Sequence, residues 1–254
     1  MHLSAAAMAG LVLAALAAGA VDAIAGGSGV IALPALLAAG LPPHVALGTN
    51  KAQGVFGTCA SMLRYGRAGL LDRARARVTF PAALAGSLCG AALVLLVPPA
   101  ALRPVVLALL VAVAVALALR PSRAPGHLAH APRWPRLAAA LVGFVLGAYD
   151  GFFGPGAGTF LIFAFAWLFD LSLRQASADS KPVNFASNLA AVALFSARGV
   201  VLWRVALPMA LAQFAGGWLG AHLAVRGGDR VVRVLVLLVV LALVLKLGGD
   251  LWRS

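Results

Sequence analysis

Two short stretches of this chain decide its fold, because each combines an aspartate with a glycine cluster in the same arrangement. The first reads Gly19-Ala20-Val21-Asp22-Ala23-Ile24-Ala25-Gly26-Gly27-Ser28-Gly29. The second reads Gly147-Ala148-Tyr149-Asp150-Gly151-Phe152-Phe153-Gly154-Pro155-Gly156-Ala157-Gly158. In both, the first glycine of the cluster lies four residues after the aspartate. Glycine permits unwound backbone and proline lacks an amide donor, so each cluster predicts a break within an apolar segment.

The chain around these stretches is too apolar for a soluble protein. Of its 254 residues, 63% are apolar even without the 28 glycines, and only 11% are charged. Soluble domains are about 45–50% apolar with glycine included and about 25% charged. So few charges exclude a soluble surface and a disordered chain, and no nucleic-acid partner is expected despite the net charge of +13. We therefore expect a multi-span protein of the lipid bilayer, with about eight to ten crossings at roughly 20 residues each.

Continuous apolar runs, such as 105–119 and 234–245, predict helices, which satisfy their own backbone hydrogen bonds in lipid. The first segment is expected to be a retained helix and not a signal peptide, because no Lys or Arg precedes it. Ten apolar elements are predicted: 3–25, 28–40, 44–63, 78–97, 103–119, 137–153, 157–170, 183–197, 205–225 and 231–249.

The two halves of the chain form an internal repeat. Asp22 pairs with Asp150 at an offset of 128 residues, and Lys51 pairs with Lys181 at an offset of 130. We expect a first transmembrane repeat over 1–119, a cytoplasmic polar linker over 120–136 and a second transmembrane repeat over 137–254. Such repeats are typical of transporters, and five elements per half would invert the second half relative to the first. The predicted fold is an all-α polytopic transmembrane bundle of two inverted-topology repeats with broken or re-entrant helices, and the arginine-rich loops predict that both termini lie outside.

The two aspartates and the glycine clusters are the first candidate site. Intramembrane carboxylates are costly and usually functional, so Asp22 and Asp150 are candidates for proton coupling; the alternative is an acid that caps a helix at the interface. A break at each glycine cluster would create a half-helix N-terminus, which attracts anions. The alternative is that the glycines serve only tight helix packing. The substrate-binding candidates in the two clusters are Gly26, Gly27, Ser28, Gly29, Gly154, Gly156 and Gly158.

Two lysines form the second candidate site. Lys51 and Lys181 end the polar triplets Thr49-Asn50-Lys51 and Asp179-Ser180-Lys181, which are expected to begin apolar segments. A positive charge beside hydroxyl or amide donors suits a small oxyanion, whereas the alternative is a lysine that snorkels to the interface. The substrate-binding candidates here are Thr49, Asn50, Lys51, Gln53, Ser180, Lys181 and Asn184.

The ordered set of motifs resembles the TauE/SafE family of sulfite and organosulfonate exporters. The resembling segments are 22–29 with Pro34, 48–51, 65–72, 147–158, 180–181 and 195–203. The resemblance implies a multi-pass permease of the bacterial plasma (inner) membrane that moves a small sulfur-containing or carboxylate anion. It also implies that the protein is not an enzyme and uses no cofactor or metal, and it allows a homodimer. The second half of the family typically reads Thr-Ser-Lys, whereas this chain has Asp179 in the first position. An ionised Asp179 is expected to weaken anion binding at Lys181.

Three functions fit these residues. The preferred one is a secondary transporter of a small anion, coupled to protons through Asp22 or Asp150. An intramembrane serine protease is an alternative, because Gly26-Gly27-Ser28-Gly29 matches the G-x-S-G pattern and His222 could be the base. Ser28 nevertheless follows the first helix, and its repeat counterpart has no hydroxyl. A passive anion channel would share the anion-selective features and differ in energetics alone.

Overall fold

The computed structural model describes residues 3–98, 100–102, 105, 108 and 134–252, and every regular element in these ranges is α-helical. The all-α prediction is therefore confirmed. The first half contains α1 (Ala5–Ala25), α2 (Ser28–Ala38), α3 (Pro43–Arg67) and α4 (Arg73–Leu96). The second contains α5 (Pro135–Phe152), α6 (Ala157–Leu168), α7 (Leu173–Ala197) and α8 (Trp203–Trp252). Gly228 has φ 62° and ψ −159°, so α8 consists of two helical segments that meet at a kink.

Most helices begin at residues that suit a helix N-terminus. Ser4 caps α1, and Asp72 caps α4 by accepting from the N–H groups of its first turn. Pro43 and Pro135 occupy the first turn of α3 and α5, where a missing N–H costs nothing. Ser172 accepts from Gln175 N at 3.3 Å and starts α7 ten residues before the predicted 183. The prediction there was wrong because the first turns of α7 are polar yet buried, so an apolar pattern does not reveal them.

The other predicted elements agree with the helices to within a few residues, except that α4 begins five residues before the predicted 78. The predicted ninth and tenth elements are the two segments of α8. The predicted linker 120–136 lies outside the described residues except at 134–136. Of the predicted fifth element, 103–119, only positions 105 and 108 are described, and both are helical. The repeat boundaries and the inverted orientation of the two halves stay predictions.

Two of the described helices, α1 and α4, are long and apolar enough to cross a membrane by length and composition. The shorter apolar helices α2 and α6 each follow directly after a glycine cluster. In contrast, α3 and α7 have low mean hydropathy because each carries a buried polar face. Among the described helices, the two least apolar ones thus supply most of the buried polar side chains.

The two halves interlock. Helix α1 packs along the first segment of α8, and α4 packs along α5. Helix α7 packs on both of these pairs and on α3, whereas α3 packs on α1, α7 and α8. Small residues permit this close approach: a side chain at Gly90 would collide with the main-chain oxygen of Ala148, and one at Gly216 with that of Leu16. The first helix of each half therefore packs on the other half, which brings the two aspartate-glycine stretches together.

Candidate functional site

Both predicted helix breaks are present. Helix α1 ends at Ala25 and α2 begins at Ser28, with Gly26 at φ 67° and Gly27 at φ 141° between them. Helix α5 ends at Phe152 and α6 begins at Ala157, with Gly154 at φ 97° and Gly156 at φ 80°. These φ values lie in the region that side chains disfavour, which explains why glycine is used at both breaks.

The two breaks touch each other. A Cβ at Gly26 would collide with the backbone of Gly158 and Thr159, and one at Gly29 would lie 3.1 Å from Pro155. The hydroxyl of Thr159 donates to the main-chain oxygens of Ala25 (2.9 Å) and Gly26. The unwound backbone of each half is therefore buried against the other half, and its carbonyl groups obtain donors without water.

The first charged pair joins the two halves across this junction. The Nζ atom of Lys51 on α3 lies 2.6 Å from Oδ1 of Asp150 on α5, and both side chains are buried. The hydroxyl of Ser187 on α7 donates to the other carboxylate oxygen, Oδ2. Both oxygens of Asp150 thus have donors, which is what a buried carboxylate requires.

The second charged pair is looser and is also formed between the halves. Lys181 Nζ donates to the main-chain oxygen of Asp22 and lies 3.6 Å from Asp22 Oδ2. The other carboxylate oxygen, Oδ1, accepts from the N–H groups of Gly27 at 3.1 Å and Ser28 at 3.2 Å. We expected the α2 N-terminus to offer these groups to an anion, but Asp22 occupies them as a built-in cap.

A polar cavity lies where the breaks and the charged pairs meet. It contains about 330 Å³ of empty space, part of it open to solvent. Its walls consist of glycines and polar side chains: Asp22, Gly27, Ser28, Gly29, Asn50, Lys51, Gly54, Asp150, Gly154, Gly158, Asn184 and Asn188. Ten of these were site candidates in the sequence, whereas Gly54 and Asn188 were not. A four-residue spacing could have found them, because Asn50 with Gly54 and Asn184 with Asn188 each share one helix face.

Six predicted site residues do not line the cavity. Thr49 Oγ1 accepts from Leu202 N at 3.1 Å, Gln53 Nε2 donates to Asn50 at 3.1 Å, and Ser180 donates to Ser177 O at 2.7 Å. The others are Gly26, Gly156 and Lys181. The expectation that both polar triplets begin apolar segments was wrong, because α3 begins at 43 and α7 at 173. The triplets lie about two turns inside their helices, so their residues point to different sides.

Asp179 is held away from the role that we expected for it. Its carboxylate accepts from Asp72 N at 2.9 Å and pairs with Arg75. It therefore balances the charge of Arg75, and the expectation that it weakens anion binding at Lys181 loses its basis. Thr49, at the equivalent position of the first half, likewise accepts from the N–H of Leu202, just before α8. Each side chain therefore joins a central helix of its own half to the start of a helix in the other half.

The pair required for a serine protease is not formed. Ser28 lines the cavity, whereas His222 on α8 is not among the lining residues. The Nδ1 atom of His222 instead accepts from Arg64 Nε at 3.2 Å. Among the described residues, no hydrogen bond joins Ser28 to His222, and a serine nucleophile requires such a contact with its base.

Residues 11–247 match the sequence model of the family described as sulfite exporter TauE/SafE. The chain belongs to this family. It is 38% identical to a probable membrane transporter protein, ORF9, of Sinorhizobium, over 94% of this chain and 92% of the relative. It is 34% identical to the probable membrane transporter protein YfcA of Escherichia coli K12 (94% and 89%) and to one of Haemophilus influenzae (91% and 90%). No solved structure matches the chain significantly.

Membership of this family, together with the apolar helices, identifies the chain as a permease of the cell membrane and not as an enzyme. The prediction of a TauE/SafE-like membrane transporter is confirmed, and the protease alternative was wrong. The relatives are similar over nearly their whole length, so the charged junction belongs to the part of the chain that they share.

Proposed function

We propose that the protein is a secondary transporter that moves a small anion through the cavity between the two helix breaks. Sulfite is the first candidate, followed by organosulfonates and related sulfur-containing or carboxylate anions. The observation that carries this proposal is the 2.6 Å pair of Lys51 and Asp150 in the cavity wall. It places a buried ammonium group in the wall of a polar cavity that is partly open to solvent. The family match supports the class of substrate.

Binding is an exchange of partners at Lys51. An unpaired buried charge is strongly destabilising, so the ammonium keeps Asp150 as its partner while the cavity is empty. An anion that enters competes with Asp150 for the ammonium. The side-chain amides of Asn50, Asn184 and Asn188 line the same cavity and can donate to anion oxygens. The anion thus obtains both a positive charge and neutral donors in one place.

Charge balance supports coupling to protons. Asp22 and Asp150 already match the buried lysines Lys51 and Lys181 in number, and the third buried aspartate, Asp179, is paired with Arg75. An added anion leaves one excess negative charge, and repulsion between the anion and the carboxylates is relieved when one carboxylate accepts a proton. The anion and the proton then cross together, driven by the gradient of either. We also propose that the protein can form a homodimer, which the mass of the purified protein in detergent would test.

The cavity wall favours a compact substrate. It offers glycine backbone and polar side chains and no apolar side chain to contact a hydrocarbon body. Burial of an apolar group against such a wall would gain little, and polar atoms of the wall would lose water without receiving a partner. Sulfite and short sulfonates are therefore expected to bind better than aromatic sulfonates.

Thermal unfolding of the purified protein tests the proposed site. The wild type is expected to be stabilised by sulfite, by about 2.7 kcal/mol when the concentration is 100 times the Kd. The variant Lys51→Ala should lose this stabilisation, whereas Arg136→Ala, which removes an exposed charge from α5, should keep it. Equal stabilisation of both variants by every anion tested contradicts the proposed site. Dependence of flux on a proton gradient in proteoliposomes separates a carrier from a passive channel.

A further inference from the structure

The two buried aspartates are not equivalent, although the repeat pairs them. Asp150 accepts from Lys51 Nζ at 2.6 Å through Oδ1 and from Ser187 Oγ through Oδ2. Asp22 accepts from two main-chain N–H groups through Oδ1 alone. Within the described part of the chain, Asp22 Oδ2 is buried and has no hydrogen-bond donor. One carboxylate is thus saturated, and the other has an oxygen that accepts no hydrogen bond.

The sequence explains this difference. Ser187 corresponds to Gly57 at the 130-residue offset that relates the two lysine segments. Glycine has no hydroxyl, so the first half lacks the donor that satisfies Oδ2 in the second half. A side chain could not be added at Gly57 without movement, because its Cβ would lie 2.6 Å from Gln213 Cγ. The asymmetry is therefore built into the packing of α3 against α8.

We infer that Asp22 carries the coupling proton, on its free oxygen Oδ2, and that Asp150 stays ionised as the resting counter-ion of Lys51. This inference rests on the proposed function and assigns one role to each carboxylate. Protonation of Asp150 would disrupt a 2.6 Å ion pair and a hydroxyl hydrogen bond, whereas protonation of Asp22 Oδ2 disrupts no hydrogen bond. The nearest cation, Lys181 Nζ, is 3.6 Å away and already donates to the main chain.

The charged and titratable groups around Asp22 set the balance for proton uptake. Helix α7 contributes Lys181, α3 contributes Lys51 and Tyr65, and α5 contributes Asp150, while α2 and α6 contain no titratable residue. Helix α8, which packs along α1, presents Gly216 and Gly220 next to Leu16 and Ala20. The α2 N-terminus and Lys181 interact favourably with the ionised carboxylate, and an anion in the cavity opposes them. The proton therefore enters from the cavity with the anion and leaves with it.

Infrared spectroscopy and proton counting test this assignment. When sulfite binds in weakly buffered solution, the wild type is expected to take up about one proton per anion, because linkage ties binding to protonation. A carboxylic-acid band should appear at the same time. Asp22→Asn is expected to bind sulfite with no proton uptake and no new band, whereas Asp150→Asn keeps the band. A band that is lost in Asp150→Asn and kept in Asp22→Asn overturns the inference.

A second pair of variants tests the cause of the asymmetry. Ser187→Ala removes the hydroxyl that donates to Asp150 Oδ2. This oxygen would then have no hydroxyl donor, like Asp22 Oδ2 in the wild type. When sulfite binds to Ser187→Ala, the intensity of the carboxylic-acid band should rise up to twofold over the wild type, because Asp150 also accepts a proton. Ser187→Thr keeps the hydroxyl and should give the wild-type band. An unchanged band in Ser187→Ala shows that the hydroxyl does not hold the proton away from Asp150. A purely structural role of Ser187 would lower stability without changing this band.

The experiment separates failure of this inference from failure of the proposed function. Sulfite binding without proton uptake in the wild type overturns the role of Asp22 and leaves anion transport standing. If no anion binds, the proposed function fails, and the role of Asp22 that rests on it fails with it.

Discussion

The contact between the two helix breaks is tested by Gly158→Ala. In the wild type, Gly158 lies in the first turn of α6 against Gly26, and an added Cβ would lie 2.8 Å from Gly26 Cα and 2.9 Å from Asn184 Nδ2. A Cβ needs more room than this, so either the breaks move apart or the Asn184 side chain leaves its place in the cavity. Overpacking of this kind costs about 1–3 kcal/mol. Transport should fall as well, because the same movement opens the anion site.

Gly66→Ala is the matched control. Gly66 also lies in a helix, but no atom lies within 4 Å of its would-be Cβ. The change should be neutral or stabilise α3 by up to about 1 kcal/mol, since alanine is the better helix former. The expected difference between the two variants is therefore about 1–4 kcal/mol in the free energy of unfolding.

Chemical denaturation of both variants in the same detergent measures this difference in the free energy of unfolding. The protein in proteoliposomes then gives the transport rate of each variant. A Gly158→Ala variant that unfolds like Gly66→Ala and transports at the wild-type rate would refute the contact between the breaks, and with it the cavity that depends on this contact.

Three further variants test the polar contacts around the cavity by the same unfolding measurement. Lys51→Met leaves the Asp150 carboxylate buried without its cation and should cost about 3–5 kcal/mol, whereas Lys51→Met combined with Asp150→Asn should recover most of that loss; additive losses would contradict the pair. Asp179→Thr keeps an acceptor for the Asp72 N–H and should be more stable than Asp179→Ala by about 0.5–1.5 kcal/mol, and equal stabilities would argue against that bond. Tyr65→Phe removes a hydroxyl that donates to a main-chain oxygen of α1 at 2.9 Å and should cost about 0.5–1.5 kcal/mol; no loss would show that the bond contributes nothing.

The helices and their breaks could be predicted from the sequence because both depend on local chemistry. Apolar runs define most helix bounds, and the spacing of Asp22 to Gly26 and of Asp150 to Gly154 marks the two breaks. The start of α7 could not be predicted in this way, since its buried polar turns are stabilised by partners from other helices. Asp179, for example, obtains its donors from Asp72 and Arg75, more than 100 residues away.

The members of the site could also be predicted better than their partners. Ten of the cavity-lining residues are recognisable as polar or glycine positions within apolar surroundings. Their pairing depends on how the halves interlock, so the sequence does not reveal that Lys51 meets Asp150 while Lys181 meets Asp22. The N–H groups of Gly27 and Ser28 were expected to serve an anion because a sequence does not show that Asp22 folds back to cap them.

Counterflow of labelled sulfite in proteoliposomes tests most directly whether an anion is carried at Lys51. Vesicles loaded with unlabelled sulfite and containing the wild type or Arg136→Ala are expected to accumulate the label, whereas Lys51→Ala vesicles with the same amount of folded protein should not. Accumulation by Lys51→Ala at the wild-type rate would contradict the site proposed at the junction of the two broken helices.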